Sequence, residues 1–86
     1  MRFIATRRFE NAYRSLPDEL RKKIDKALRL LADSPRHPSL RLKKLQGTPG
    51  IWEARVDRNC RMTLEIRGDA FLLRNVGKHD DTLDSP

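Results

Sequence analysis

Between Ile51 and Val76, apolar residues fall on every second position in three short runs, Ile51–Asp57, Arg61–Arg67 and Ala70–Val76. Period two is the repeat of a half-buried strand, whose successive side chains point to opposite faces. Trp52, Ala54 and Val56, then Met62, Leu64 and Ile66, then Phe71 and Leu73 therefore belong to one apolar face. Directly opposed residues of an antiparallel pair share a face. A three-residue loop, Arg58 to Cys60, sets Val56 opposite Met62. A two-residue loop, Gly68 and Asp69, suits a primed turn and sets Ile66 opposite Phe71 and Leu64 opposite Leu73. The chain is thus committed to a three-stranded meander with one face made for a core. A register slip of one residue would turn every one of these side chains to the other face.

That face needs a cover, and the first half of the chain supplies it. Met1–Ala5 reads as a first strand. Thr6 can cap a helix over Arg7–Arg14, with Phe9, Ala12, Tyr13 and Leu16 on one side. Ser15 followed by Asp18 three places on reads as a capping box, with Pro17 in the first turn of a second helix. Leu20, Ile24, Ala27, Leu28 and Leu31 form its apolar stripe, and Arg21, Lys22, Lys23, Lys26 and Arg29 lie elsewhere on its surface. The helix stops at Asp33 and Ser34 because Pro35 disfavours helix in the residue before it. Leu40, Leu42 and Leu45 follow in a basic stretch that ends in turn material, Gln46 to Gly50. Asp80–Pro86 reads as a frayed tail. The expectation is one α+β domain over residues 1–86: an N-terminal strand, a two-helix hairpin and an antiparallel three- to four-stranded meander, with the helices packed on one face.

With 37% hydrophobic and 36% charged residues, the chain needs most of its apolar side chains in that single core. One cysteine, Cys60, allows no internal disulfide and no Cys-based zinc site, and points to a reducing compartment. No apolar run approaches the roughly 18–20 residues of a membrane span, and the first residues hold no signal-peptide core, so a cytoplasmic protein is expected. The net charge of +7 is unevenly spread: residues 1–46 carry 13 Lys/Arg against 5 Asp/Glu, and residues 47–86 carry 6 against 7. A basic half of this kind favours a polyanion or an acidic protein partner; a solvated helix face is the plainer reading.

Parity also assigns the face that the helices leave open. Its rows are expected to be Arg55–Thr63–Arg74, Asp57–Arg61–Val76 and Glu53–Glu65–Leu72, with Gly77, Lys78 and His79 emerging beside Arg61. Arginine suits phosphate because its planar fork makes two parallel charge-assisted hydrogen bonds and keeps its proton. Arg55, Arg61 and Arg74 could cradle one phosphate and stabilise a phosphorane-like transition state, with Lys43 and Lys44 extending the grip. The competing reading is an ordinary ion network of these arginines with Asp57, Glu53 and Glu65. His79 has an imidazole suited to proton transfer near neutrality, and Asp80 could orient it; a plain surface histidine is the alternative. His37 reads as a loop residue and Tyr13 as packing. Two separated histidines and no carboxylate cluster make no recognisable metal site, and no Gly-rich phosphate loop calls for a cofactor. Trp52 and Phe71 fall on the core face, which argues against a base-stacking platform.

In order, the first strand, the hairpin carrying "SLPDEL", the run "HPSLRLKKLQGTPGIWEARVDRNCRMTLEI" and the end "LLRNVGKHDD" resemble the RelE/ParE superfamily of bacterial toxins from about Met1 to Asp81. The resemblance implies a toxin of a type II toxin–antitoxin system. In its RelE branch the activity is metal-independent cleavage of messenger RNA, usually on the ribosome, through attack of a 2′-OH on the adjacent phosphate. By position Arg61 is similar to the arginine at the scissile phosphate, Arg55 to the basic residue of the preceding strand, and His79 to a C-terminal general acid. Glu53 is the candidate general base, with Asp57 or a lysine as substitutes. Lys43 and Lys44, with Arg41, Arg74 and Lys78, are the RNA-binding set implied. A C-terminal tyrosine frequent in RelE-type enzymes is absent, and Asp80 follows the histidine instead. The ParE branch implies the alternative, a non-catalytic inhibitor of DNA gyrase, and an inactive antitoxin-binding relative is a third reading. Each implies an acidic antitoxin as partner, and the first adds messenger RNA and the ribosome.

Overall fold

The computed structural model describes residues 2–86. Strand β1 (Arg2–Ala5) leads into α1 (Arg7–Arg14) and α2 (Asp18–Asp33). After a 3-10 turn at Pro38–Leu40 come β2 (Lys43–Lys44), β3 (Trp52–Arg55), β4 (Cys60–Arg67), β5 (Ala70–Lys78) and α3 (His79–Asp84). The fold is α+β, as the two periodicities require. Its sheet is mixed and has five strands in the order β1-β5-β4-β3-β2. The meander β3-β4-β5 is antiparallel, β2 adds an antiparallel edge, and β1 lies parallel to β5. The basic stretch before the first turn thus contributes a short strand of its own.

Local signals account for the helix ends. Thr6 is extended, and its hydroxyl accepts the Phe9 N–H at 3.1 Å. The same hydroxyl lies 2.9 Å from the Leu73 carbonyl and 3.1 Å from that of Arg74, so the cap also ties α1 to β5. The capping box expected at Ser15 does not form. Ser15 keeps helical dihedrals as the C-cap of α1 and turns its hydroxyl back to the Ala12 carbonyl at 2.7 Å. Pro17, extended and without a capping side chain, precedes α2 instead. A proline there needs no N–H partner, so the helix starts without the serine.

The core lies between the helix pair and one face of the sheet. Phe9, Ile24, Ala27, Leu31 and Leu40 meet Ala54, Met62, Leu64, Phe71, Leu73 and Val76, all buried, while Trp52, Val56, Leu20 and Leu28 pack partly buried around them. Burying a side chain of the Leu or Phe class contributes roughly 1.5–3 kcal/mol each, so these few residues carry most of the fold.

The β4–β5 hairpin has the expected register, with Ile66 opposite Phe71 and Leu64 opposite Leu73, and Gly68 takes the left-handed conformation (φ 58°) that its turn demands. The β3–β4 register differs by two. Ala54, rather than Val56, faces Met62, and Arg55 faces Arg61. A shift of two preserves every face, which is why the core is unchanged. Its cause is the turn: Asp57 Oδ1 accepts the Asn59 N–H at 2.9 Å, and Val56 N–H closes on the Cys60 carbonyl at 3.0 Å, which lengthens the loop. A register irregularity between Thr63 and Leu64 then skips Arg74, so Thr63 faces Asn75 and Met62 faces Val76. Val76, expected on the outer face, is therefore core. The expected rows Arg55–Thr63–Arg74 and Asp57–Arg61–Val76 are replaced by Glu53–Thr63–Asn75 and Arg55–Arg61–Gly77, while Glu65 does face Leu72.

The outer face is not left open. Residues expected as a frayed tail form α3, which lies against β4 and β5. Thr82 is buried, and its Oγ1 stands 3.3 Å from where a Cβ on Gly77 would be, so a side chain there would crowd the helix. Thr63 Oγ1 donates to the Pro86 carbonyl at 2.8 Å, Arg74 Nε to the same oxygen at 3.2 Å, and Asn75 to the Ser85 carbonyl at 3.0 Å. Arg8 reaches the Ser85 carbonyl from α1. The tail is ordered because polar sheet side chains satisfy its carbonyls, a tertiary effect that short polar sequences do not announce.

Candidate functional site

The candidate residues gather around the β3–β4 turn and the end of β5. Arg61, with its side chain 14% exposed, donates Nε–H to Glu53 Oε1 at 3.2 Å, and the Glu53 side chain is only 6% exposed. Its Nη1 caps the turn, donating to the carbonyls of Asp57, Arg58 (3.4 Å) and Cys60 (3.0 Å). Glu53 is thus held as the ion-pair partner of Arg61. The ladder places Arg55 directly opposite Arg61. Arg55 ends β3, beyond the two residues that pair with β2, and it lines a cavity with Lys23 and Lys26 of α2.

His79 opens α3. Its backbone N–H donates to the Asn59 carbonyl at 2.8 Å, which pins the end of β5 to the turn that Arg61 caps. The side chain is 45% exposed, its Nδ1 lies 3.2 Å from Asp80 Oδ1, and it shares a cleft with Asn59, Lys78 and Asp81. Imidazole in this position is open to solvent and aligned by a carboxylate, an arrangement able to deliver a proton.

Lys43 and Lys44 go to opposite faces. Lys43 is opposite Glu53, on the side of Arg61; Lys44 is opposite Trp52, with its ammonium 5.5 Å from the ring centroid. Arg41 takes the left-handed conformation (φ 45°) after the 3-10 turn and borders a hollow near Trp52. Arg74 pairs with Glu65 and with the Pro86 carbonyl. Arg55, Arg61, Glu53, His79, Lys78 and Lys43 are brought together, whereas Arg41, Lys44 and Arg74 lie apart.

The electrostatics follow the contacts. Partial burial pushes the Asp57 carboxyl up, but the Asn59 N–H, the Lys23 ammonium at 3.2 Å and the Cys60 N–H outweigh it and hold the group below the usual carboxylate range. Hydrogen bonds from Arg67, opposed by burial and aided by Arg74, hold the Glu65 carboxyl low as well. Burial pushes the Cys60 thiol up to about 11, so it is inert rather than nucleophilic. Among the described residues no group of three His, Cys, Asp or Glu side chains could hold a metal ion, and no helix is long and apolar enough to cross a membrane.

Lys23 and Lys26 are the residues that sequence reasoning left among solvated charges. The one signal was their spacing of three, which puts both on one side of α2 beside the apolar stripe.

No protein-family model matches the chain, and no curated protein matches it. Solved structures do. RelE in the RelB-RelE antitoxin–toxin complex from Methanococcus jannaschii is 22% identical, with a TM-score of 0.75 over 96% of this chain and 99% of that one. A YoeB/ParE toxin from Agrobacterium tumefaciens is 18% identical, with a TM-score of 0.78 over 92% and 99%. YafQ from E. coli is 15% identical, with a TM-score of 0.78 over 94% and 97%. Over nearly its whole length, the chain has the fold of the RelE, YoeB/ParE and YafQ toxins.

Proposed function

We propose that the chain is the toxin of a type II toxin–antitoxin system and acts as a metal-independent endoribonuclease on messenger RNA, on the ribosome. The observation that carries this reading is the gathering of Arg61, Arg55, Lys43 and the solvent-open His79 at one end of the sheet. A 2′-oxygen attacks the neighbouring phosphorus, its proton passing to Glu53 or Asp57. Arg61 stabilises the charge gathering on the non-bridging oxygens. The 5′-oxygen departs with a proton from the His79 imidazolium, which leaves a 2′,3′-cyclic phosphate and a 5′-hydroxyl. Lys43 and Lys78 hold the strand by charge, with Lys44, Arg41 and Arg74 farther out on the surface.

An acidic antitoxin partner is supported by the charge of +7 and by the RelE fold relative solved with RelB. A segment disordered when free and folding over the basic surface would neutralise it. The cytoplasm is the compartment such a toxin requires.

The test is induction of the full chain in a bacterial host, with 5′ ends of messages mapped within minutes. New cuts that vanish in His79→Ala establish the nuclease. Growth arrest with intact messages transfers the activity to gyrase, and unchanged growth makes the chain an antitoxin-binding relative without activity. Arg61→Ala is a poor probe of chemistry because it also strands Glu53, so Arg61→Lys is the variant of choice at that position.

A further inference from the structure

The turn from Asp57 to Cys60 joins β3 to β4, and each of its carbonyls is occupied. Those of Asp57, Arg58 and Cys60 accept from Arg61 Nη1. That of Asn59 accepts the His79 N–H at 2.8 Å. One short turn thus holds both the residue assigned to the phosphate and the residue assigned to proton donation. What fixes the turn is the Asp57 carboxylate. Its Oδ1 accepts the N–H of Asn59, the residue whose carbonyl holds His79, at 2.9 Å, and its Oδ2 accepts from Lys23 Nζ at 3.2 Å. An aspartate closed on the amide two residues ahead makes a side-chain turn that stands in for a backbone one. Lys23 belongs to α2, on the face of the sheet opposite Arg61 and Glu53, so the carboxylate is drawn away from that pair.

We infer that Asp57 is a positioning residue rather than a proton acceptor: its carboxylate shapes the turn, and the turn sets Arg61 and His79 relative to one another. What those two residues do rests on the nuclease reading above; where Asp57 holds them rests on the contacts alone. Each carboxylate oxygen already has a donor. Hydrogen bonds to the charged form stabilise it, which weakens a carboxylate as a base. Of the two acceptors named for the 2′-proton, Glu53 is therefore the one that remains. Lys23 acts one step further back, tying the turn to α2.

The experiment compares Asp57→Ala with Asp57→Asn in the full chain. Asparagine keeps an oxygen for the Asn59 N–H and makes the same turn, but its amide takes up no proton near neutrality. On a message held by programmed ribosomes, Asp57→Ala should lower kcat by about ten- to a hundredfold with KM little changed, as a misplaced group does. Asp57→Asn should stay close to the wild type. Hydrogen exchange of the His79 amide, read by NMR, should quicken several-fold in Asp57→Ala and not in Asp57→Asn. Asp57→Ser closes the turn more weakly, should fall between the two, and takes the place of Asp57→Ala should that chain not fold. Asp57→Asn as inactive as Asp57→Ala, with its His79 amide still protected, makes Asp57 the base and overturns the inference. So does an Asp57→Ala chain with the kcat of the wild type, or one whose His79 amide exchanges no faster. If the wild type cuts no message the nuclease reading falls, and exchange of the His79 amide still decides whether Asp57 holds that residue in place.

Discussion

Arg55 and Arg61 stand opposite one another on adjacent strands, yet their surroundings put them to different uses. At the turn, Arg61 gives Nε to a buried carboxylate and Nη1 to three backbone carbonyls, so most of its donors serve the fold and Nη2 keeps no partner among the described residues. At the strand end, Arg55 keeps a desolvated Nε donor with nothing to bind. A charge satisfied inside a protein holds structure, and a charge left unsatisfied there is available to a ligand. The basic face expected from strand parity therefore divides into a structural part and a receptive part.

The largest effect that tests this division is on stability. Arg61→Ala strands Glu53 in a buried position and should cost about 3–5 kcal/mol in denaturant unfolding. A loss below about 1 kcal/mol would break the comparison, since Arg61 would then be as free as Arg55. Glu65→Gln comes next: it removes the shared partner of Arg67 and Arg74 at the other side of the same face and should cost on the order of 1 kcal/mol at neutral pH. The Glu65 carboxyl is held low in the folded chain, so its contribution is full above the unfolded carboxylate pKa and is lost as pH falls through the folded value. Melting curves across the acid range should accordingly be less steep for Glu65→Gln than for the wild type.

Arg55→Met removes the idle donor while keeping a stem of similar length. It should be neutral or stabilising by about 1 kcal/mol, and it should weaken oligonucleotide binding all the same. Destabilisation as large as that of Arg61→Ala would show that Arg55 serves the fold. Smallest is the response of Cys60, which lies one residue from Arg61 and has its thiol raised to about 11 by burial. Alkylation of the native chain near neutral pH should be slow and should quicken only on unfolding. Rapid labelling would mean that the turn capped by Arg61 opens readily, and would blur the contrast between the two arginines.

Much of this could be read in the chain before its structure. Phe9, Ile24, Ala27, Leu31, Met62, Leu64, Phe71 and Leu73 lie in the core where period 3.6 and period 2 assign them. The Gly68 hairpin has its register because a two-residue loop leaves no choice. Of the candidate site, parity gives Arg55, Arg61 and Glu53 one face and sets Gly77 to His79 beside Arg61. It pairs Arg55 with Thr63 and Glu53 with Glu65, however, where the ladder has Arg55 opposite Arg61 and Glu53 opposite Thr63. The β3–β4 register was not legible, because the Asp57 side chain and the Asn59 N–H decide the loop length. The skipped Arg74 was not either: one extra residue in a strand changes the face of everything beyond it, and no single residue type marks it.

By itself the sequence determined the layers, the apolar face and the excess of positive charge, since these depend on periodicity and composition along the chain. Only the tertiary structure decided how each charge is used. Whether Arg61 is mostly engaged and the Arg55 Nε idle, or whether the last residues fray or close over Thr63 and Arg74, depends on which acceptors lie within about 3 Å in space. Residues as far apart in sequence as Arg8, Thr63 and Ser85 supply those contacts. Hydrogen bonds and ion pairs act over that short range and in a particular direction, so they are settled after the hydrophobic pattern has brought the strands and helices together.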